Sequence, residues 1–98
     1  MLKKRIFFED DKVQIRLEER DGALFVHCLF HEVSKASVKW LQEIWPILRE
    51  RVYFAGYANI FSYTKDLRVV KLFPGWELVE EIKDEYGNDW KVVRWELN

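Results

Sequence analysis

The side chains with the most chemical potential in this 98-residue sequence fall in a few short clusters. His27, Cys28, His31 and Glu32 are types that ligate metals or form a thiol–imidazole pair. On a strand, His27 and His31 share a face but lie ~13 Å apart. Both cannot reach one zinc at ~2 Å without a sharp bend. Cys28 points to the opposite face and sits in an apolar run, where a lone cysteine is expected to pack as a small buried hydrophobe. A nucleophilic thiolate needs a base within ~3 Å and an electropositive, partly open setting, and this pattern supplies neither. No metal site is expected.

Glu80, Glu81, Asp84 and Glu85 place several carboxylates beside a turn. Acid–base catalysis needs carboxyl groups held in contrasting environments. A cluster next to a turn reads instead as a solvated acidic edge. Tyr53, Tyr57, Asn59 and Tyr63 are different, because Ala55, Gly56 and Ala58 thin the chain between them. On a regular strand Tyr53, Tyr57 and Asn59 share one face, and the small neighbours open space for a ligand groove. The alternative for the same residues is aromatic packing under a helix.

The elements that must position these residues follow from hydrophobic period. Ile6 and Phe8 face one side of a short first strand that follows a basic leader, Lys3-Lys4-Arg5. Val13, Ile15 and Leu17 alternate with polar residues, the period of a half-buried strand. Asp21-Gly22 then marks a hairpin. Residues 23–33 are apolar on both faces, as a central strand must be. Ser34 caps a helix over residues 35–51, with Val38, Leu41, Trp45, Leu48 and Val52 on one stripe. Pro46 removes a backbone donor inside it, so the helix is expected to kink or split near Glu43.

A second apolar run over residues 53–60 reads as a strand parallel to the central one, completing a β-α-β unit. Thr64 is expected to cap a short helix that Pro74-Gly75 ends. Strands over residues 76–82 and 90–97 flank a turn at Tyr86-Gly87-Asn88. The fold class is α+β, close to α/β: one domain over residues 1–98, with a mixed sheet of about six strands, one long kinked helix and one short helix.

Hydrophobic residues make up 49% and aromatic residues 16%, including five tryptophans. A small core cannot hide so many large apolar groups, so Trp40, Trp45, Trp76, Trp90 and Trp95 are expected to contribute to a contact with another copy or another protein. Charge is balanced, 16 basic against 17 acidic residues, which argues against nucleic acid as a partner. One cysteine, no long apolar stretch and no leader-like N-terminus point to a soluble protein of a reducing compartment, the cytoplasm.

The segment Arg68-Val69-Val70-Lys71-Leu72-Phe73-Pro74-Gly75-Trp76-Glu77-Leu78 resembles the C-terminal half of GNAT-type acetyltransferases, where a short helix enters a strand through a Gly-aromatic pair. The terminal Arg94-Trp95-Glu96-Leu97 also looks like that family's closing strand. The likeness spans roughly residues 13–98 and implies acetyl-CoA bound at the start of the long helix, through Ser34, Lys35, Ala36 and Ser37.

Three positions depart from the family pattern. The loop over residues 31–37 has no glycine and carries Glu32, which would repel phosphate. The family's general-acid tyrosine falls at Lys71 and its asparagine at Thr64, leaving Tyr63 as the nearest substitute acid. The resemblance implies a member shorter than the full family pattern, without its N-terminal helices. Short proteins with this decay are similar to phage internal virion and head-assembly proteins. The resemblance therefore implies a non-catalytic phage or prophage assembly protein with no cofactor, located in host cytoplasm or virion. An acetyl-CoA-dependent N-acetyltransferase is the alternative.

Overall fold

The computed structural model describes residues 3–31 and 34–97, with side chains described from Ile6 onward. The elements run β1 (Lys3–Glu9), β2 (Val13–Arg20), β3 (Ala23–Phe30), α1 (Lys35–Phe54), β4 (Asn59–Thr64), α2 (Leu67–Val70), β5 (Trp76–Lys83) and β6 (Asp89–Glu96). They form one six-stranded mixed sheet in the order β1-β2-β3-β4-β6-β5. Only β3 and β4 are parallel; every other neighbouring pair is antiparallel.

Local chemistry builds the first half. Asp10 Oδ1 accepts from the N–H groups of Lys12 and Val13 at 2.8 and 2.9 Å, which closes the β1–β2 turn. Asp21 and Gly22 both adopt positive φ, 49° and 81°, as a two-residue hairpin between right-twisted strands requires. Val13, Ile15 and Leu17 are buried as their alternation demands. In β1 the register shifts between Ile6 and Phe8. That irregularity breaks the expected shared face: Ile6 stands exposed opposite Arg16, while Phe8 pairs with Ile15 and packs against the core.

The helix α1 starts on a reciprocal cap. Ser34 Oγ accepts from Ser37 N–H at 3.1 Å, and Ser37 Oγ accepts from Ser34 N–H at 3.0 Å. The helix then runs unbroken through Pro46, which lies on its exposed side. Its stripe of Leu41, Trp45, Leu48 and Val52 covers Ile15, Leu24, Val26, Ile60, Val93 and Trp95 of the sheet. No helix of the described residues is long and apolar enough to cross a membrane.

Two boundaries differ from the sequence expectation. Tyr53 and Phe54 belong to the last turn of α1, and the following strand starts only at Asn59. No breaker lies between Pro46 and Gly56, whose φ of 101° ends the helical path, so propagation carries the helix through residues that by type favour strands. The short helix is capped by Asp66, not Thr64: Asp66 Oδ1 accepts from Arg68 N–H at 2.9 Å, while Thr64 Oγ1 receives Asp66 N–H at 3.1 Å. Past α2, Trp95 Nε1–H donates to the Phe73 carbonyl at 2.9 Å and ties that segment to β6.

Candidate functional site

The site arises from pairing that stops. Strands β3 and β4 register only at Leu24↔Ile60 and Phe25↔Phe61. Beyond those pairs, residues 26–30 and 62–64 run on without meeting, so two strand edges in the middle of the sheet face each other across a wedge. One side chain spans its narrow end: Ser62 Oγ–H donates to the Val26 carbonyl at 3.0 Å. The wedge opens into a cavity of about 780 Å³, within the size range of small-molecule sites.

Alternation along each strand gives the wedge two unlike ends. Val26, Cys28 and Ser62 point to the side covered by the helices, whereas His27 and Tyr63 point to the other. On the helix side the cavity meets Leu41 and Trp45 of α1, Val70 and Phe73 around α2, and Trp95 of β6. All five are buried hydrophobic residues.

Arg20, His27 and Tyr63 line the other side. Arg20 Nη1–H donates to Tyr63 Oη at 3.2 Å, and its guanidinium stands 5.8 Å over the Phe25 ring and 5.9 Å from the Tyr63 ring. Its Nε is paired with the buried carboxylate of Glu18. The Phe25 and Tyr63 rings stack at 5.0 Å, and His27 lies parallel to Tyr63 at 6.2 Å. Glu18, Arg20 and Tyr63 thus form a polar chain crossing from β2 to β4 over the stacked rings.

Asp84 also borders the cavity and is held as a carboxylate. Its pKa falls from 3.8 to about 2, chiefly because it accepts from Trp90 Nε1–H at 2.9 Å, then from the Asn88 N–H at 2.9 Å. Burial opposes the shift, and the Asn88 side chain and Tyr86 N–H add to the lowering. The acid therefore fixes the β5–β6 turn and the Trp90 ring, over which Lys65 Nζ stands at 4.8 Å.

Cys28 overturns the expectation of a buried thiol. Its side chain is exposed and opens into the wedge, because β3 has no β4 partner at that level. The protein packed around it still pushes the thiol up to about 12, away from thiolate chemistry. His27 and His31 are separated: His27 stacks on Tyr63, whereas His31 Nε2 lies 3.9 Å from a Glu9 carboxylate oxygen.

Tyr53, Tyr57 and Asn59 share no strand face, since they lie in α1, in the connecting loop and at the start of β4. Only Tyr63 of that group lines the wedge. Ser34, Lys35, Ala36 and Ser37 form the helix start outside the wedge lining, and Glu32 lies outside the described residues. Lys71 is an exposed residue at the C-terminal cap of α2. Trp45 and Trp95 are core, in edge-on contact at 4.9 Å, whereas Trp40, Trp76 and Trp90 keep part of their surface. Arg20, Phe25 and Ser62 escaped sequence reading. An arginine directly before an Asp-Gly turn was the one local hint.

No family model matches the sequence, and no curated protein matches it. Solved structures do match the fold. An aminoglycoside 6'-acetyltransferase type Ii superposes with a TM-score of 0.74 at 14% identity, over 99% of this chain and 70% of that one. The fold is GNAT-like. An N-acetyltransferase from Staphylococcus aureus Mu50 superposes with a TM-score of 0.68 at 12% identity, over 88% of this chain. This GNAT-like chain spans 60% of that second protein's length.

Proposed function

We propose that this domain binds a coenzyme A thioester in the β3–β4 wedge and passes the acyl group to an amine, as an N-acetyltransferase. The observation that carries the reading is the wedge itself, two parallel strands parted at the centre of a fold shared with two acetyltransferases. The unpaired backbone edges of residues 26–30 and 62–64 suit the amides of an extended pantetheine arm. The apolar lining suits an acyl group.

The diphosphate end fits less well. The reciprocal Ser34–Ser37 cap already occupies the Ser37 N–H, and no glycine lets a phosphate approach. The N-terminal end of α1 and exposed Lys35 remain to attract it. Donor affinity is therefore expected to be modest.

When bound, the coenzyme supplies an activated thioester. In this reading Tyr63 Oη, to which Arg20 donates, gives its proton to the departing sulfur. In the same reading His27, stacked on Tyr63, takes the proton released by the attacking amine. Thiol release from acetyl-CoA in the presence of a polyamine tests this. Tyr63→Phe should lower turnover by roughly 10²–10⁴-fold while leaving donor binding intact. No thiol release, together with no change in melting temperature at millimolar acetyl-CoA, would overturn the reading.

A second reading is a non-catalytic phage or prophage assembly role through protein contacts. It draws on exposed Leu78, Val79 and Tyr86 along the β5 edge and its turn. Both structural neighbours, being acetyltransferases, favour the first.

A further inference from the structure

The cavity of about 780 Å³ holds more than an acetyl group, and its two ends differ in chemistry. On the sheet's uncovered side stand the polar groups of Arg20, His27 and Tyr63. Past Cys28 and Ser62, on the helix side, Leu41, Trp45, Val70 and Phe73 line the cavity with hydrocarbon and aromatic surface. An amine acceptor and the proton-transfer groups belong at the polar end. An alkyl chain belongs at the apolar end, where an unfilled space forfeits contacts on every side.

We infer that the site prefers acyl groups several carbons longer than acetyl, with the chain seated between α1 and α2. This inference rests on the acyltransferase reading and names its donor class. The helix-side groups would act as the specificity determinants. Val70 and Phe73 sit at and just past the end of α2, a single helical turn, so a substitution there changes the depth of the space while β3 and β4 stay as they are. Cys28 borders the same space from β3. Its raised thiol pKa fits a neutral, apolar-side role for it.

The test is direct binding, by calorimetry, of coenzyme A, acetyl-CoA, butyryl-CoA and hexanoyl-CoA to the full chain. Each methylene that leaves water should tighten binding about fourfold. Hexanoyl-CoA should therefore bind on the order of a hundredfold more tightly than acetyl-CoA. Val70→Trp should erase that preference. If that variant does not fold, Cys28→Met, which intrudes from the β3 side, should reduce the preference in the same sense. Equal affinity for acetyl- and hexanoyl-CoA, or a hexanoyl preference that survives both variants, would overturn this inference and leave the acyltransferase reading standing. Failure of all four ligands to bind would overturn both.

Discussion

Two tryptophans that touch each other should lose very different amounts of stability on the same substitution. Trp95 and Trp45 are both buried, at 4% and 8% exposure, with ring centroids 4.9 Å apart. Trp95 Nε1–H donates to the Phe73 carbonyl, itself in a residue only 6% exposed. Trp45 Nε1 is equally enclosed but has no hydrogen-bond partner among the described residues. Trp95→Phe strands a buried carbonyl, which costs ~1–3 kcal/mol. The smaller ring leaves a void of ~40 Å³, and at about 24 cal/mol per Å³ that adds ~1 kcal/mol. The sum is ~2–4 kcal/mol out of a total stability of ~5–15 kcal/mol for a domain of this size.

Trp45→Phe loses the same ring volume but also removes a desolvated donor that nothing satisfies. The two effects offset, and the net change should stay within ~1 kcal/mol. Thermal unfolding followed by near-ultraviolet circular dichroism measures both. Trp95→Phe should lower the melting temperature by on the order of 10–25 °C, and Trp45→Phe by only a few degrees. Equal destabilisation by the two substitutions would refute the hydrogen-bond reasoning.

Removing the α1 cap with Ser34→Ala should cost ~1 kcal/mol, seen as a fall of ~4–8 °C in melting temperature. Asp84 and Asp66 both have folded pKa values lowered from 3.8 to about 2, so their contribution is complete above pH ~4 and is lost as pH falls through 2. Melting temperature should therefore drop steeply between those limits, and Asp84→Asn should flatten part of that drop. Cys28 is exposed but its thiol is pushed up to about 12, so iodoacetamide should alkylate it slowly at neutral pH and faster as pH rises. Mass spectrometry of intact protein follows that rate, and fast labelling at pH 7 would contradict the assignment.

The fold was legible where its causes are local. Alternation at Val13, Ile15 and Leu17, the Asp21-Gly22 turn and the Ser34 cap each act within a few residues, and the element order follows from them. The sequence of Tyr53 and Phe54 misleads because aromatic residues favour strands, while helix propagation depends on where the next breaker falls, here Gly56. Thr64 and Asp66 are both capping types two residues apart, and only the geometry separates their roles.

The candidate site was less legible for a definite reason. A wedge is made by strand pairs that do not form, and no local period encodes an absent pairing. Tyr63 stood out by type, but Arg20, Phe25 and Ser62 come to it from distant positions and acquire meaning only across the sheet. Cys28 departs from its expected burial for the same cause: an apolar run signals a central strand, but β3 is paired with β4 only at Leu24 and Phe25.

The most direct test of the account is amide chemical-shift mapping of the full chain titrated with acetyl-CoA. Saturable shifts should concentrate in residues 26–30 and 62–64, with Leu41, Val70 and Phe73 responding further when hexanoyl-CoA replaces acetyl-CoA. Shifts confined to other parts of the surface, or none at millimolar ligand, would contradict the claim that the parted strands are a thioester site.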